Sequence, residues 1–367
     1  MLAAAVSPYD LAPVGQLLAF GTLVAAGPLL WWWQRSRTKT PQGRLRALTV
    51  LTLFLTFDLV LFGAFTRLTD SGLGCPDWPG CYAQSNPLAA QLEIHAAQTA
   101  MPTGPVTHNK AWVEMIHRYL AGAVGFLILV LCVQSWRRKG QGAISPWWST
   151  VTLLWVCLQG AFGAWTVTMK LFPAIVTMHL LLALGLLVLL AWQAQAYEPE
   201  PLHLSPGLRA AAWLVFVLAT LQIALGGWVS TNYAVLACSG FPSCQAGQWW
   251  PATDFAQGFT LWRPLGVGAD GGFLPFAALT AIHIAHRIGA AVLITALLLF
   301  CWRLWTSGPK ARIWARRLLL VAGWQLISGI SNVVLDWPIA AALAHTGGAA
   351  MLLTILSFLL ARLQQAR

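Results

Sequence analysis

Long apolar runs alternate with short polar segments along most of the chain. A helix that crosses the hydrocarbon core of a membrane needs about 20 mostly apolar residues, and nine runs meet this requirement. The pattern therefore predicts an all-α polytopic membrane protein. The predicted spans are residues 12–33, 47–66, 115–136, 147–168, 174–196, 210–229, 279–302, 317–335 and 339–361.

The composition supports this fold class and excludes others. Of the 367 residues, 58% are hydrophobic and 9% are charged, whereas roughly a quarter are charged in soluble globular proteins. The net charge of +11 would suggest nucleic-acid binding if it formed a basic face on a soluble fold. The basic residues instead lie in short loops between apolar runs, so we expect contact with membrane lipid and none with nucleic acid.

The 22 Lys and Arg residues are divided unevenly between the two sides of the predicted membrane. One set of loops, together with the C-terminus, contains 16 of them, and the opposite side contains 6. Because Lys and Arg concentrate on the cytoplasmic side, we expect the N-terminus outside and the C-terminus in the cytoplasm, in a bacterial inner membrane. The two long polar loops, 67–114 and 230–278, then lie outside.

The two halves of the chain resemble each other, which indicates an internal duplication. We predict two four-helix bundles, one within residues 47–209 and one within residues 210–367, related by an axis along the membrane normal. Residues 1–46 add one further transmembrane helix and a basic cytoplasmic loop. The residues that align across the repeat are Gly63, Cys75 and Cys81 with Gly226, Cys238 and Cys244; His117 and Arg118 with His286 and Arg287; and Gln159, Gly163 and His179 with Gln325, Gly329 and His345.

Two cysteine pairs, Cys75/Cys81 and Cys238/Cys244, share the same spacing in the predicted outer loops. An outer compartment permits disulfides, and the spacing favours two local structural bonds. A redox-active dithiol is an alternative, better for the first pair than for the second. Zinc binding by these cysteines is a weaker alternative, because neither loop contains an evident histidine pair to complete four ligands. The other three of the seven cysteines lie in predicted spans and are expected to fill apolar space: Cys132, Cys157 and Cys301.

Four of the eight histidines lie near the outer end of a span that runs from outside to inside. Each one alone could serve a hydrogen bond between helices. Two imidazoles on facing helices of a four-helix bundle are also an axial pair for haem iron. Copper or non-haem iron is an alternative, although the usual carboxylate or thiolate ligands are missing at that depth. The four are His117, His179, His286 and His345, with small residues nearby at 121–122 and 347–349 that would let a flat macrocycle approach.

The halves differ beside these histidines, because Glu114 precedes His117 by three residues and His283 stands at the matching place before His286. This spacing puts Glu114 on the face of His117, as a candidate proton acceptor or electrostatic stabiliser, or simply as a glutamate at a helix start. Arg118 and Arg287 are candidates for haem propionate contacts or for snorkelling to the interface. The intramembrane Asp58 is a functional candidate without an assigned role.

Five segments together resemble the haem A synthase family, and the resemblance covers residues 47–361. It implies an eight-helix core of two pseudo-symmetric four-helix bundles, so that segment 12–33 lies outside the family pattern. The cysteine pair Cys75 and Cys81 matches the first outer loop of the family. The segments are RLTDSGLGCPDWPGCY (67–82), EMIHRYLAG (114–122), TMHLLLALG (177–185), AIHIAHRIGA (281–290) and ALAHTGGAA (342–350).

The resemblance also implies an activity, the oxidation of the C8 methyl group of haem O to a formyl group through a hydroxylated intermediate. It implies a substrate haem site at Glu114, His117 and His179, and a haem b cofactor held by His286 and His345. Haem O synthase and terminal oxidase assembly are the implied partners. A di-haem b electron carrier explains the histidines equally well, and a transporter is less consistent because broken spans and paired midplane charges are missing.

The charge distribution makes a testable prediction about orientation. A reporter enzyme that is active only in the cytoplasm, fused after Arg367, should be active, because the basic loops hold that side of the chain inside. The same reporter placed in the loop at 230–278 should be silent. Activity of the loop fusion with silence of the C-terminal fusion would reverse the orientation.

Overall fold

The computed structural model describes residues 12–141 and 144–365. Within those residues, nine helices are long and apolar enough to cross a membrane, which confirms the predicted fold class of an all-α polytopic membrane protein. Residues 1–11, 142–143 and 366–367 lie outside the described residues. The expected outer N-terminus, the C-terminal Arg367 and the first part of the predicted N-terminal segment 1–46 therefore fall there.

The helices follow the predicted spans closely. Two short helices, α3 and α8, and one 3-10 turn, Ala234–Leu236, lie in the long polar loops, where the apolar pattern predicted no element. The helices are α1 (Ala12–Ser36), α2 (Pro41–Leu68), α3 (Gln91–Ala100), α4 (His108–Arg137), α5 (Trp147–Thr168), α6 (Pro173–Tyr197), α7 (Pro206–Thr231), α8 (Phe255–Gly258), α9 (Phe276–Thr306), α10 (Pro309–Val334) and α11 (Ile339–Gln364).

Two of the long helices begin well before the apolar run that predicted them. Helix α4 starts at His108 because the Thr107 side chain accepts a hydrogen bond from the Lys110 N–H and caps the first turn. Helix α10 starts at Pro309, a residue type suited to a first helical position because it lacks the N–H that would be unpaired there. Their first turns are polar or basic, so hydropathy alone placed both starts too late.

The eight long helices after α1 pack as two rings of four. In the first unit, α2 contacts α4, α4 contacts α5, α5 contacts α6, and α6 returns to α2. In the second unit, α7, α9, α10 and α11 form the same cycle. Within the described residues α4 and α6 are therefore diagonal across the first unit, and α9 and α11 across the second. The units join where α6 contacts α7 and α11, and where α2 contacts α11.

Polar side chains tie the two units together at their outer ends. The Arg67 guanidinium donates to the Ser230 carbonyl at 2.6 Å and lies 4.0 Å from the centre of the Tyr233 ring. Burial raises the pKa of Tyr233, so its hydroxyl stays protonated and donates to Asp70 at 2.7 Å. The duplication aligns residue 67 with 230 and residue 70 with 233. Contacts between the units thus join matching positions of the repeat.

The additional helix α1 packs against the outside of the first unit, chiefly on α4. A Cβ atom at Gly21 would lie 2.8 Å from the backbone carbon of Gly122, so the two helices approach at backbone distance. The rings of Phe20 and Tyr119 lie 5.2 Å apart one turn away. Gly122 therefore serves the contact with α1, and the expectation that Ala121 lets a haem approach stays a prediction.

The close approach at Gly21 predicts a measurable effect on stability. Gly21→Leu should push α1 away from α4 and lower the melting temperature in detergent, because overpacking of a tight contact costs about 1–3 kcal/mol. Gly27→Leu is the matched control, since a Cβ atom at Gly27 meets no atom within 4 Å. Equal melting temperatures for the two variants would contradict this account of the contact.

Candidate functional site

Each of the four histidines predicted as ligands lies against a glycine of a neighbouring helix. A Cβ atom at any of these glycines would lie 3.0–3.1 Å from the imidazole ring. The glycines therefore give the imidazoles room inside each unit, which a larger residue would fill. The pairs are His117 with Gly63, His179 with Gly163, His286 with Gly226, and His345 with Gly329.

The histidines of each unit come from diagonal helices. His117 is on α4 and His179 is on α6, whereas His286 is on α9 and His345 is on α11. All four side chains are half-buried. Two imidazoles from opposite corners of a four-helix unit, each beside a glycine, are a donor set that fits the two axial positions of a haem iron.

A bare metal ion fits these residues less well than a haem. Within residues 12–141 and 144–365, no group of three or more His, Cys, Asp or Glu side chains could hold a metal ion. Zinc and copper sites in proteins usually have three or four protein ligands. The two-histidine sets therefore support the haem alternative over copper or non-haem iron.

Glutamines that align across the repeat donate hydrogen bonds to the backbone carbonyls of two of the histidines. The Gln159 side-chain amide donates to the backbone carbonyl of His179 at 3.0 Å, and the Gln325 amide donates to that of His345 at 3.1 Å. Gln222, which the sequence analysis did not single out, donates to the carbonyl of His286 at 3.0 Å. The available signal was the spacing, because each glutamine precedes its glycine by four residues and so shares its helix face.

Glu114 and Arg118 form a buried ion pair at the outer end of α4, with 2.5 Å between Glu114 Oε1 and Arg118 Nη2. Glu114 Oε2 accepts the Cys75 N–H at 2.8 Å. Arg118 also donates to the carbonyls of Asp77 and Gly80, at 3.1 and 2.5 Å. The pair therefore attaches the first outer loop to the helix that carries His117.

The second unit repeats this attachment without the carboxylate. Arg287 donates to the carbonyls of Cys238, Gly240 and Ser243 at 3.2, 2.8 and 3.0 Å. His283 replaces Glu114, and its Nδ1 lies 3.0 Å from the Ala234 carbonyl oxygen. Both arginines thus bind the outer loops, and their contact with a haem propionate stays a prediction.

Both predicted cysteine pairs are disulfide-bonded. The Cα–Cα distance is 4.8 Å for Cys75–Cys81 and 4.3 Å for Cys238–Cys244, which confirms the local pairing in each outer loop. Among the described cysteines the other three are free. Two of them, Cys132 and Cys301, are buried as apolar fillers should be, but Cys157 is exposed on α5, contrary to expectation.

Asp58 lies apart from the histidines, on the face of α2 that turns toward α1. It lines a groove of about 240 Å³ between α1, α2 and α4, beside Pro28 and Leu127. Its side chain is exposed in that groove and makes no hydrogen bond to any described residue. The structure therefore places Glu114 and Arg118 beside His117, and Arg287 next to His286, at the ends of the units that carry the disulfide loops, but it does not bring Asp58 to them.

The unequal partners of the two arginines predict unequal effects on stability. Arg118→Leu leaves the Glu114 charge buried without its counter-ion, which costs about 3–5 kcal/mol in comparable cases. Arg287→Leu removes loop hydrogen bonds but leaves the uncharged His283 as its neighbour, so the loss should be smaller. Thermal unfolding of both variants in detergent measures the difference. Equal losses would mean that the Glu114 charge is not held by Arg118.

Comparison with known proteins agrees with this arrangement. The family COX15-CtaA, described as cytochrome oxidase assembly protein, matches residues 46–357. A protein of Shewanella oneidensis named heme A synthase is 41% identical over 312 residues, which cover 83% of this chain and 92% of that protein.

More distant relatives carry the same name. The heme A synthase of Alkalihalophilus pseudofirmus is 27% identical over 327 residues, covering 86% of this chain and 96% of its own length. That of Bradyrhizobium is 28% identical over 325 residues, covering 81% and 84%. Since the family matches most of the chain, this protein belongs to the COX15-CtaA family of cytochrome oxidase assembly proteins.

Proposed function

We propose that this multi-pass membrane protein is a haem A synthase, an oxidoreductase that converts the C8 methyl group of haem O to the formyl group of haem A. The observation that carries the proposal is the set of four histidines on diagonal helices, in a chain 41% identical to a relative named heme A synthase. Oxidation of an unactivated methyl group is chemistry that a cofactor supplies and side chains do not.

In this proposal each of the two units binds a different haem. Haem O binds as substrate between His117 and His179 in the first unit, within residues 47–209, and haem b is held by His286 and His345 in the second, within residues 210–367. The asymmetry of Glu114 and His283 supports the assignment, because only the first unit has a carboxylate one turn from its histidine. The haem b would supply a redox-active iron next to the reacting unit.

The residues of the chain bind and orient the substrate. The glycines beside His117 and His179 give the imidazoles room to face the interior of the first unit. Glu114 is held in one orientation because both of its oxygens accept hydrogen bonds. Each carboxylate oxygen has a second lone pair, so Glu114 can still accept a proton at the outer edge of the unit.

The proposal extends to cellular location and partners. We place the protein in the bacterial inner membrane with the N-terminus outside and the C-terminus in the cytoplasm, supported by the distribution of Lys and Arg. A haem O synthase supplies the substrate, and the assembly of a terminal oxidase uses the product. The family description, cytochrome oxidase assembly protein, supports the second of these partners.

A di-haem b protein that only transfers electrons is the alternative function. It is favoured by the fact that both units carry the same pair of histidines, but it gives the buried carboxylate of Glu114 no separate role. Pigment extracted from protein expressed with a supply of haem O separates the two functions. A haem A synthase accumulates haem A, whereas an electron carrier contains only haem b.

The division between the units predicts which variants lose which haem. His286→Ala and His345→Ala should lose most of the bound haem b, because alanine cannot replace an axial ligand. His117→Ala and His179→Ala should keep haem b and stop the conversion of haem O. The exposed outer-loop His95→Ala serves as control. Loss of haem b from the His117 variant alone, measured by pigment analysis, would mean that the units are assigned in reverse.

Glu114→Gln tests the role of the carboxylate. The variant keeps the size and the hydrogen bond to the Cys75 N–H but removes the charge, so haem O should bind while the formation of haem A falls by about 100-fold, typical for loss of a proton acceptor. A Cys75→Ser, Cys81→Ser double variant is the control, because it loosens the same loop and retains the carboxylate. Normal haem A formation in the glutamine variant would exclude a catalytic role for Glu114.

A further inference from the structure

The glutamines make a contact with the histidines that the proposed function does not use. The Gln222 amide nitrogen lies 3.0 Å from the His286 backbone oxygen and 2.9 Å from the His286 Nδ1. One side-chain amide therefore reaches both the backbone and the ring of the same residue. Such a two-point contact restricts rotation of the imidazole about its side-chain bonds.

At His345 the backbone and ring contacts come from two side chains of the same helix. Gln325 donates to the His345 backbone oxygen at 3.1 Å, and the Ser328 hydroxyl lies 3.1 Å from His345 Nδ1. Ser328 donates its own hydrogen to the Trp324 carbonyl at 2.7 Å, so it accepts from His345 Nδ1–H. The proton on Nδ1 leaves Nε2 free, which is the tautomer that an iron ligand requires.

Two glycines in the second unit make room for the amides. A Cβ atom at Gly289 would collide with Gln222 Oε1, and one at Gly348 would lie 2.6 Å from Trp324 Cδ1 and 3.0 Å from Gln325 Nε2. Each glycine follows its histidine by three residues. Gly348 therefore accommodates Trp324 together with the glutamine amide, and the expectation that it lets a macrocycle approach stays a prediction.

The amides also carry unused acceptors. Gln222 Oε1 and Gln325 Oε1 are buried and accept no hydrogen bond from the described residues. A buried amide oxygen without a donor is unfavourable. The Gln222 amide nitrogen faces His286 Nδ1 in this structure. With the amide turned over, Oε1 would accept from Nδ1–H and leave Nε2 for an iron.

The first unit has only part of this arrangement. The Gln159 amide nitrogen lies 3.0 Å from the His179 backbone oxygen and 3.5 Å from His179 Nε2, and Gln159 Oε1 has no donor among the described residues. Leu182, however, stands where Gly289 and Gly348 stand in the second unit, and His179 Nδ1 is buried without a partner in the described part of the chain. At His117 the glutamine itself is missing. The duplication aligns Leu59 with Gln222, and the described residues form no side-chain hydrogen bond to His117, which is stacked against Phe62 at 6.3 Å.

We propose that Gln222 and Gln325 are positioning residues that hold the imidazoles of His286 and His345 for a resident haem, and that Leu59 leaves His117 free to release the haem of the first unit. This inference rests on the proposed function and deepens it. A held imidazole presents Nε2 continuously and rebinds at once when the axial bond breaks. An imidazole without a hydrogen-bond partner turns away more often, so substrate can enter and product can leave through the His117 side.

The closing experiment measures haem retention and not turnover. Purified full-length protein in detergent is mixed with excess apomyoglobin, and the transfer of haem is followed by absorbance. Gln222→Leu and Gln325→Leu should each lose haem b about 10-fold faster than the parent protein, because loss of a hydrogen bond that orients a metal ligand typically costs 10–100-fold. Gln193→Leu is the matched control, since Gln193 is a fully buried amide that contacts Tyr197 instead of a histidine.

The electron paramagnetic resonance spectrum of the ferric protein gives a second readout, because it reports the orientation and hydrogen bonding of the axial imidazoles. It should change in Gln222→Leu and Gln325→Leu and stay unchanged in Gln193→Leu. A change in stability alone would leave this signal of the bound haem as it is. The measurement therefore separates positioning of the ligand from support of the fold.

The reciprocal variant Leu59→Gln supplies the missing amide, and haem in the first unit should then transfer about 10-fold more slowly. Parent-like transfer rates and spectra in all three variants would overturn the inference.

The variant His286→Ala distinguishes failure of this inference from failure of the proposed function. If that variant loses haem b while Gln222→Leu behaves like the parent, only the positioning role is wrong. If His286→Ala keeps haem b, the assignment of the second unit is wrong.

Discussion

A polar group within the hydrocarbon core must find its partner inside the protein, because neither water nor lipid supplies one. Most of the structure depends on this constraint. It makes every span helical, and it explains why the polar side chains of the spans occur in pairs, such as Glu114 with Arg118 and Gln325 with the His345 carbonyl. The histidines, the side-chain oxygens of Gln222 and Gln325, and Asp58 are among the exceptions, because part or all of their hydrogen-bonding capacity is unused by the described residues. Much of this unused capacity lies beside the four histidines of the candidate site.

The two units share their main features and differ at a few side chains. Both place histidines on diagonal helices beside glycines, and both attach a disulfide loop through an arginine at the outer end. They differ in the charge at that end, where Glu114 in one unit corresponds to His283 in the other. They also differ in the partners of the imidazoles. In the proposed function these few side-chain differences separate a reacting site from a resident one.

Helix α1 lies outside the duplicated core and packs through glycines at backbone distance. In lipid, close approach of small residues is a main source of helix association, because there is no hydrophobic driving force between apolar helices. This explains why Gly122, which is in a segment shared with the family, serves packing here. Asp58 lines the groove between α1, α2 and α4 and not the interior of the first unit.

The sequence by itself determined the fold class, the nine spans, the disulfide pairs and the resemblance to a family, because hydropathy, local cysteine spacing and motifs are properties of short segments. It also identified the four histidines, since each lies at the same depth in its span. Only the tertiary structure decided which neighbours they meet. The glycines opposite the imidazoles, the glutamines on the His286 and His345 carbonyls, and the loop contacts of Arg118 and Arg287 join residues from different helices. The rotation of each helix about its axis and the direction of its side chains set those contacts. Neither can be derived from the apolar pattern of a single span.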